Sequence, residues 1–326
     1  MRNIFITGGG GYVGVPLVEK LLSNGDKVTV LDLFLYGENV LPNHNNLIKI
    51  KGDIRDEKIL KSSLKNQEIV IHLACISNDP SFELNPKLGK SINLDAFEPL
   101  VNISMKSGVH KFIYASSSSV YGIKKEKNVV ENMELNPLTD YSKFKAECEK
   151  ILFKYKSDNF ITTVVRPATV CGYSKRQRLD LVVNILSNLA YHKREITVFG
   201  GDQLRPNINI YDMVGFYNSL LNFDEKIING EVFNAGFQNQ KVSELASSVK
   251  KIVGEDVNVV TKPTDDNRSY HISSEKIRDL LNFKPKHTIE DAISELVTAF
   301  EQKKLNDPLN NKYYFNIKLM NSIDLK

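Results

Sequence analysis

Residues 4–14 read IFITGGGGYVG, a short apolar run that leads directly into a turn rich in glycine. The apolar run has the length and composition of a buried strand, and a helical pattern at 15–22 begins immediately after the turn. Gly8, Gly11 and Gly14 recur at every third position. This spacing is needed where a chain turns sharply from a strand into a helix and lets its backbone approach a ligand. The segment therefore predicts the first strand–turn–helix unit of an α/β fold.

Strand-like and helix-like segments alternate over the first half of the chain. Apolar runs lie at residues 4–6, 28–31, 47–50, 69–71, 112–114 and 161–165. Between several of them lie segments with helical spacing, such as Glu57–Leu64 and Leu88–Met105. Continuous apolar strands that alternate with helices form a parallel sheet covered on both faces. Because such crossovers are right-handed, the sequence predicts a doubly wound parallel sheet.

The pattern changes after about Gly172, where helical segments become denser. They lie at residues 179–191, 213–222, 242–253, 274–281 and 289–300, with strand-like runs at 196–199 and 231–234. We therefore expect residues 1–172 to form the sheet domain, with a return segment near 205–235. Residues 173–326 are expected to form mainly a smaller α+β domain. The pattern does not place the tail at 303–326.

Composition restricts the class of protein. The 326 residues, 41% hydrophobic and 25% charged, are typical of a globular protein with one large domain or two smaller ones. A net charge of +4 gives no strong basic field for nucleic acid. Cys75, Cys148 and Cys171 are far apart, which indicates neither a metal site nor a disulfide framework and is typical of a reducing cytoplasm. No apolar run approaches the ~20 residues of a membrane helix, so we expect a cytoplasmic protein without a membrane partner.

The glycine turn is suited to a dinucleotide. Its backbone can approach a pyrophosphate, and the helix that follows offers free N–H groups and a partial positive charge. Asp32 ends the second predicted strand, where it can accept hydrogen bonds from an adenosine ribose. The next residues, Leu33–Leu35, supply no cation for a 2′-phosphate. The pattern therefore predicts NAD rather than NADP.

Two polar motifs could carry acid/base chemistry. Tyr141 and Lys145 lie four residues apart at the start of a helical pattern, so both side chains can face one cleft. A nearby ammonium group favours the phenolate and is expected to lower the pKa of Tyr141. The run Ala115–Gly122 follows the fifth strand, where ligands of open α/β sheets bind, and it supplies hydroxyl groups. Alone, each motif is also compatible with an exposed pair or a polar capping loop.

Together these motifs resemble the extended short-chain dehydrogenase/reductase family, in its nucleotide-sugar epimerase/dehydratase branch. The matching segments are Thr7–Gly14, Asp32, Gly52–Asp56, His72–Ala74, Ser116–Gly122, Tyr141 with Lys145, Arg166–Pro167, Gly200–Pro206 and Asp212. The resemblance extends to about Phe300. It implies a Rossmann domain with NAD as the cofactor and a nucleotide-diphosphate sugar as the substrate. It also implies a homodimer that forms through the helices around 88–105 and 141–154.

The resemblance implies a role for each matched residue. Tyr141 would be the acid/base, Lys145 would bind the nicotinamide ribose, and Ser117 would bind the reacting oxygen. The expected cofactor residues are Gly8, Gly11, Tyr12, Val13, Gly14, Asp32, Asp53, Ile54, Leu73, Ala74, Tyr141 and Lys145. The expected substrate residues are Ser117, Ser118, Asn184, Arg205 and Arg268, and Asn93 is expected near the active-site helix. For Asn184, Arg205 and Arg268, a place on a surface helix or loop stays open.

The resemblance leaves the reaction open. Dehydratases of this branch carry carboxylates directly after the catalytic hydroxyl residue, whereas this chain has Ser118 and Ser119, so 4,6-dehydration is disfavoured. We therefore expect an NDP-sugar 4-epimerase, with an NDP-sugar 4-dehydrogenase or 4-keto reductase as the alternative. A non-catalytic NAD-bound scaffold is disfavoured because Ser117, Tyr141 and Lys145 are all in place.

The segment 171–184 departs from the commonest epimerase pattern. Cys171 stands where a Tyr is usual, and Lys175, Arg176 and Arg178 form an unusually basic run. The run is compatible with a rim that faces phosphate and equally with a solvated loop.

Overall fold

A seven-stranded parallel sheet forms the centre of the protein. The computed structural model describes residues 1–126, 128–264, 269, 271–323 and 325. The strands of this sheet are β1 (Asn3–Thr7), β2 (Lys27–Asp32), β3 (Leu47–Lys51), β4 (Ile69–His72), β5 (Lys111–Ala115), β6 (Ile161–Pro167) and β10 (Glu231–Ala235). They lie in the order β10-β6-β5-β4-β1-β2-β3, and every neighbouring pair is parallel.

Helices cover both faces of the sheet. The helices between its first six strands are α1 (Gly14–Ser23), α2 (Glu57–Ser63), α3 (Asp79–Glu83), α4 (Pro86–Lys90), α5 (Phe97–Lys106) and α6 (Asp140–Lys154). Successive residues of β1 serve opposite faces: Ile4 and Ile6 pack in the cluster that contains α1, and Phe5 packs in the cluster that contains α2, α5 and α6. The predicted doubly wound Rossmann fold is therefore confirmed.

The segment predicted as helical at 88–105 is helical in the structure, but it is not one regular α-helix. It is divided into α4 and α5 by a wider turn at Ser91–Asp95, where the amide of Ala96 donates to the carbonyl of Ser91 (3.2 Å). Within this turn the Asn93 side chain accepts from Ile76 N (2.8 Å) and donates to Ile76 O (3.0 Å). The wider turn is thus hydrogen-bonded to the loop after β4. Such a contact between distant segments cannot be predicted from the spacing of apolar residues in one helix.

Smaller sheets and helices follow the sixth strand. They comprise β7 (Thr169–Cys171), α7 (Val182–Lys193), β8 (Glu195–Phe199), β9 (Leu204–Asn209), α8 (Ile210–Leu220), α9 (Glu225–Ile228), β11 (Gln238–Lys241), α10 (Val242–Val253), β12 (Asn258–Lys262), α11 (Glu275–Leu281) and α12 (Ile289–Glu301). β9 pairs with β7 and β11, and β8 pairs with β12. Helices α7, α10 and α12 contribute to one apolar cluster, whereas α8 packs against α1. The division of the chain at residue 172 stays a prediction.

The tail that the sequence pattern could not place returns to the sheet. A short helix, α13 (Asn316–Met320), contacts α3 beside the carboxyl ends of the strands. None of the helices in the described part of the chain is long and apolar enough to cross a membrane.

Candidate active site

A cavity of about 570 Å³ lies at the carboxyl ends of the parallel strands. Its wall includes residues from the ends of β1, β2, β4 and β5, and from the N-terminus of α6. It also includes Arg205 and Pro206 from β9 and Asn316 from α13. Ligands of open α/β sheets bind at this edge, so the cavity is the candidate active site.

The glycine turn forms one wall of the cavity with its backbone. A Cβ atom on Gly8 would lie 2.6 Å from Ala74 N, and one on Gly14 would lie 2.5 Å from Gly8 O. Only glycine fits these two close approaches. Val13, at the N-cap position of α1, makes no side-chain capping hydrogen bond, and the first turn of α1 carries no acidic residue. The start of the helix is therefore suited to a diphosphate, as a dinucleotide requires.

Asp32 lies where the sequence predicts an acceptor for the ribose. Its Oδ2 accepts from Gly10 N (2.9 Å), its Oδ1 accepts from Phe34 N (2.7 Å), and the residue lines the cavity. Burial raises the pKa of Asp32, whereas the two amides and the charge of Arg176 lower it. Arg176 is thus a cation near Asp32 in space, although none is near it in sequence.

The other expected cofactor residues also reach the cavity wall. They are Gly8, Gly11, Tyr12, Val13, Gly14, Asp53, Ile54, Leu73 and Ala74. Asp53 is bound by Arg55, whose Nη2 lies 2.6 Å from Asp53 Oδ2. Burial opposes the charged form of Asp53, but the hydrogen bonds and charge of Arg55 outweigh it and lower the pKa of this carboxyl.

Tyr141 and Lys145 face the same cavity from the start of α6. Thr139 fixes this helix end, because its Oγ1 accepts from Ser142 N (3.3 Å) while Ser142 Oγ accepts from Thr139 N (3.1 Å). Lys145 Nζ donates to Ala115 O (2.7 Å) and lies 5.8 Å from the centroid of the Tyr141 ring. The capped helix end and the end of β5 therefore position the two side chains together.

The expected lowering of the Tyr141 pKa by Lys145 is wrong. Burial raises this pKa above its usual value, and Cys75 and Asp79 raise it further. Arg178 is the cation that lowers it, together with the backbone amide of Asn78. Burial dominates because it removes water from the phenolate, while the ammonium of Lys145 is held by a backbone carbonyl. The phenol is the stable form of Tyr141 in this structure.

Ser117 and Ser118 line the cavity on a short turn after β5. Ser117 Oγ lies 2.8 Å from Ser119 Oγ and accepts from Ser119 N (3.1 Å). The preceding residue, Ser116, donates to the carboxylate of Glu149 on α6, which is paired with Arg166 at 2.6 Å. This buried ion pair joins β6 to α6 and fixes the loop that presents the hydroxyl groups.

The expected substrate residues are only partly brought together. Arg205 lines the cavity, and its Nη1 donates to Leu204 O (3.0 Å). Asn184 is fully buried behind the wall, and the expectation that it holds the substrate is wrong. Its amide accepts from Gly172 N (3.1 Å) and donates to Arg178 O (2.8 Å) and to the Tyr12 hydroxyl (3.0 Å). Arg268 lies outside the described residues.

Asn93 lies beside α6, as expected. Its carbonyl accepts from Cys148 Sγ (3.1 Å) on that helix, and its side chain holds Ile76 in the loop after β4. Asn93 is absent from the cavity wall that the described residues form, so it supports the wall from behind.

Arg176, Arg178 and Asn316 are among the polar residues of the cavity wall that the sequence did not assign to the site. Arg176 and Arg178 are 4% and 8% exposed and line the cavity, so the alternative of a solvated loop is wrong for both. Lys175, between Ser174 and Arg176, is exposed and pairs with Glu19. Asn316 reaches the same wall from the C-terminal tail. The basic run was the only sequence signal for this region, and no local pattern linked it to the tail.

These features define an enzyme of the dinucleotide-binding α/β class, with a phenol, an amine and a hydroxyl facing one cleft. The family model of the NAD dependent epimerase/dehydratase family matches residues 4–236. The chain therefore belongs to the NAD-dependent epimerase/dehydratase family, and its cofactor is NAD, as the sequence predicted.

Relatives of this chain include several kinds of nucleotide-sugar enzyme. It is 27% identical over 319 residues to a UDP-glucose 4-epimerase of Lactobacillus helveticus, covering 90% of this chain and 95% of that one. It is 27% identical over 322 residues to UDP-glucuronic acid decarboxylase 1 of Arabidopsis thaliana, covering 94% and 71%. The crystal structure of UDP-glucose 4-epimerase from Thermotoga maritima with UDP-glucose matches with a TM-score of 0.84 at 28% identity, covering 93% and 99%.

Proposed function

We propose that this protein is an NDP-sugar 4-epimerase. The observation that carries the proposal is the chemistry of the turn after β5, which presents Ser118 beside Ser117 in the cavity that also contains Tyr141 and Lys145. Serine hydroxyls can bind and orient a sugar oxygen. Near neutral pH, however, they cannot act as the general base that a carboxylate supplies in a dehydratase. The similarity to 4-epimerases over most of the chain supports the same assignment.

Each residue would have a distinct part in this reaction. Tyr141 would take the proton of the hydroxyl group at carbon 4 and later return it. The reaction therefore releases and consumes no net proton. Lys145 would bind the nicotinamide ribose, and Ser117 would hold the reacting oxygen. The chemistry that bound NAD would supply is a hydride acceptor for carbon 4 and a hydride donor for the keto-sugar.

The second candidate is an NDP-sugar 4-keto reductase, or the 4-dehydrogenase that runs the same step in reverse. Burial keeps Tyr141 as a phenol, and a phenol is the form that donates a proton to a carbonyl oxygen during reduction. This candidate needs net transfer of two hydrogens between cofactor and sugar, whereas epimerisation needs none.

We propose that Arg205 binds the diphosphate of the nucleotide sugar, since it enters the cavity from β9 with a guanidinium group that can pair with phosphate oxygens. Arg268 is proposed to share this role, and residues 173–326 are proposed to bind mainly the substrate. We further propose a cytoplasmic homodimer that forms through α5 and α6.

The proposed function is tested by incubating the purified protein with a panel of NDP-sugars and analysing products by mass spectrometry and proton NMR. An epimerase converts one sugar into a product of unchanged mass with an altered coupling at carbon 4. A change of two hydrogens would establish the reductase or dehydrogenase instead. Loss of water to a 4-keto-6-deoxy product would contradict the assignment based on Ser118 and Ser119.

A further inference from the structure

The loop between β7 and α7 is fastened to the glycine turn. We call residues 172–181 the arginine loop. The Tyr12 hydroxyl donates to Gly172 O (2.7 Å), and Ser174 Oγ donates to Tyr12 O (3.0 Å). On the outside, Lys175 Nζ pairs with Glu19 Oε1 of α1 (2.6 Å). The arginine loop therefore lies beside the N-terminus of α1.

Arg178 of this loop presents a buried donor that lacks an acceptor. Its Nε pairs with Asp180 Oδ1 (2.9 Å), and its Nη1 donates to Ser77 Oγ (3.2 Å). Its Nη2 is buried and has no hydrogen-bond partner among the described residues. A buried guanidinium donor without an acceptor is costly, so it indicates the site of an acceptor on a ligand.

Arg176 also presents a buried donor that lacks an acceptor. Its guanidinium stacks on Tyr36, with Cζ 3.4 Å from the ring centroid, and its Nη2 donates to Asn316 Oδ1 (2.7 Å). Its Nε is buried without a partner in the described part of the chain. Arg176 forms no ion pair with a described residue, whereas Arg178 pairs with Asp180, so the guanidinium group of Arg176 is buried without a carboxylate in direct contact.

We propose that Arg176 and Arg178 bind the diphosphate of NAD, together with the amide groups at the N-terminus of α1. A diphosphate carries negative charge and several acceptor oxygens, which the planar guanidinium group pairs with directly. The hydrogen bonds of Tyr12 to Gly172 and Ser174 hold the arginine loop beside the glycine turn, where the diphosphate would bind. Arg176 also stacks on Tyr36, which lies four residues after the ribose acceptor Asp32.

The diphosphate of a nucleotide-sugar substrate has the same chemistry as that of NAD. The attachments of the arginine loop to Tyr12 favour the cofactor, whereas Arg205 enters the cavity from a different strand, β9. The inference rests on NAD as the cofactor and does not depend on which sugar reaction the enzyme performs. Its failure would leave the product assay of the proposed function untouched.

The test measures binding of a ligand series by isothermal titration calorimetry, using protein stripped of nucleotide. The variants are Arg176→Lys and Arg178→Lys, which keep the charge but lose the planar fork, and the control is Lys175→Gln in the same loop. Both arginine variants should bind NAD and ADP-ribose roughly 10- to 100-fold more weakly than the wild type. Adenosine, which has no phosphate, should bind all four proteins equally, and this also verifies that the variants are folded.

Salt provides a second readout. Binding of NAD to the wild type should weaken more steeply with ionic strength than binding to Arg178→Gln, because that variant has lost one phosphate contact. Unchanged NAD affinity in both lysine variants would overturn the proposal, and so would an equal loss of adenosine and NAD binding. Weakened UDP binding with unchanged NAD binding would assign the arginines to the substrate instead and would also overturn it.

Discussion

Tyr141 lies in the wall of the active-site cavity, and its pKa is above the usual value. The ring packs edge-on against Phe82 at a centroid distance of 6.5 Å, so Tyr141→Phe removes the hydroxyl and keeps the packing. If Tyr141 is the acid/base, turnover should fall roughly 100- to 10,000-fold while NAD affinity stays unchanged. The control is Tyr155→Phe, at the end of the same helix, where the hydroxyl contacts Glu98 near the surface. Equal turnover in the Tyr141 variant and the wild type would exclude Tyr141 from the mechanism.

The raised pKa also determines how the rate depends on pH. Oxidation of the sugar requires the phenolate as a proton acceptor, and burial holds Tyr141 in the phenol form at neutral pH. The rate of NAD-dependent oxidation should therefore increase as the pH rises from 7 to 9, whereas reduction, which uses the phenol, should not increase. Single-turnover absorbance of NADH at each pH measures the oxidation step. A rate of oxidation that falls over this range would contradict the role of Tyr141 as the acceptor.

His72 at the end of β4 makes stability depend on pH. It is buried against Phe97 and Tyr114, and burial, together with the charge of Lys145, lowers its pKa from 6.5 to about 3. The unfolded chain therefore binds a proton below pH 6.5 that the folded chain does not bind. Stability is fully present above that pH and declines as the pH falls towards 3. Between pH 7 and 5 this single group should reduce the free energy of unfolding by about 2 kcal/mol.

The contribution of His72 is measured by urea unfolding of His72→Asn at pH 7 and pH 5. The variant loses ring packing and is less stable than the wild type at both pH values. From pH 7 to pH 5, however, its free energy of unfolding should decrease by about 2 kcal/mol less than that of the wild type. His44→Asn, at an exposed position, should behave like the wild type. If the free energy of unfolding of the His72 variant depends on pH as steeply as that of the wild type, burial of the His72 ring does not control the pH dependence of stability.

At the scale of the element, the turn between β1 and α1 requires glycine where two backbone segments meet. A Cβ on Gly14 would lie 2.5 Å from Gly8 O and 2.7 Å from Gly9 Cα, so the turn must shift in Gly14→Ala. NAD affinity should fall about tenfold or more. The matched control is Gly215→Ala in α8, where the added methyl would meet Phe283 at an ordinary 3.8 Å. Wild-type NAD affinity in Gly14→Ala would show that the turn tolerates a side chain.

The elements that could be predicted are those set by local sequence. The strand–turn–helix at the N-terminus and the parallel sheet follow from apolar runs and glycine spacing. The division of the predicted helix 88–105 could not be predicted, because Asn93 is held by Ile76 in another loop. Helix α7 begins at Val182 instead of residue 179, and the amide of Leu179 donates to Tyr314 O (2.8 Å) in the tail.

The same distinction holds for the site. Tyr141 and Lys145 share a helix face by spacing alone, so the sequence was sufficient to bring them together. The assignment of Asn184 failed because its side chain is buried and its amide binds Gly172, Tyr12 and Arg178 inside the protein. The burial of Arg176 could not be foreseen, because its partner Asn316 is 140 residues away in the chain.

At the scale of the whole molecule, the C-terminal tail connects parts of the cavity that are distant in sequence. Asn316 Oδ1 accepts from the Tyr36 hydroxyl (2.8 Å) and from Arg176 Nη2 (2.7 Å), while its Nδ2 donates to Ser77 Oγ (3.0 Å). Its backbone amide donates to Asp180 Oδ2 (2.9 Å). The tail therefore holds the loops after β2 and β4 against the arginine loop.

Removal of the tail should consequently weaken cofactor binding without preventing folding. A chain that ends at Asn311 keeps all seven strands of the central sheet but leaves Arg176, Tyr36 and Ser77 without Asn316. It should unfold at a lower temperature and bind NAD at least about tenfold more weakly, because the guanidinium groups lose their fixed position. Thermal unfolding with and without NAD measures both effects, and Asn321→Ala, at an exposed position in the chain that keeps the tail, should match the wild type. If the shortened chain gains as much stability from NAD as the wild type, the tail only covers the cavity and does not organise it.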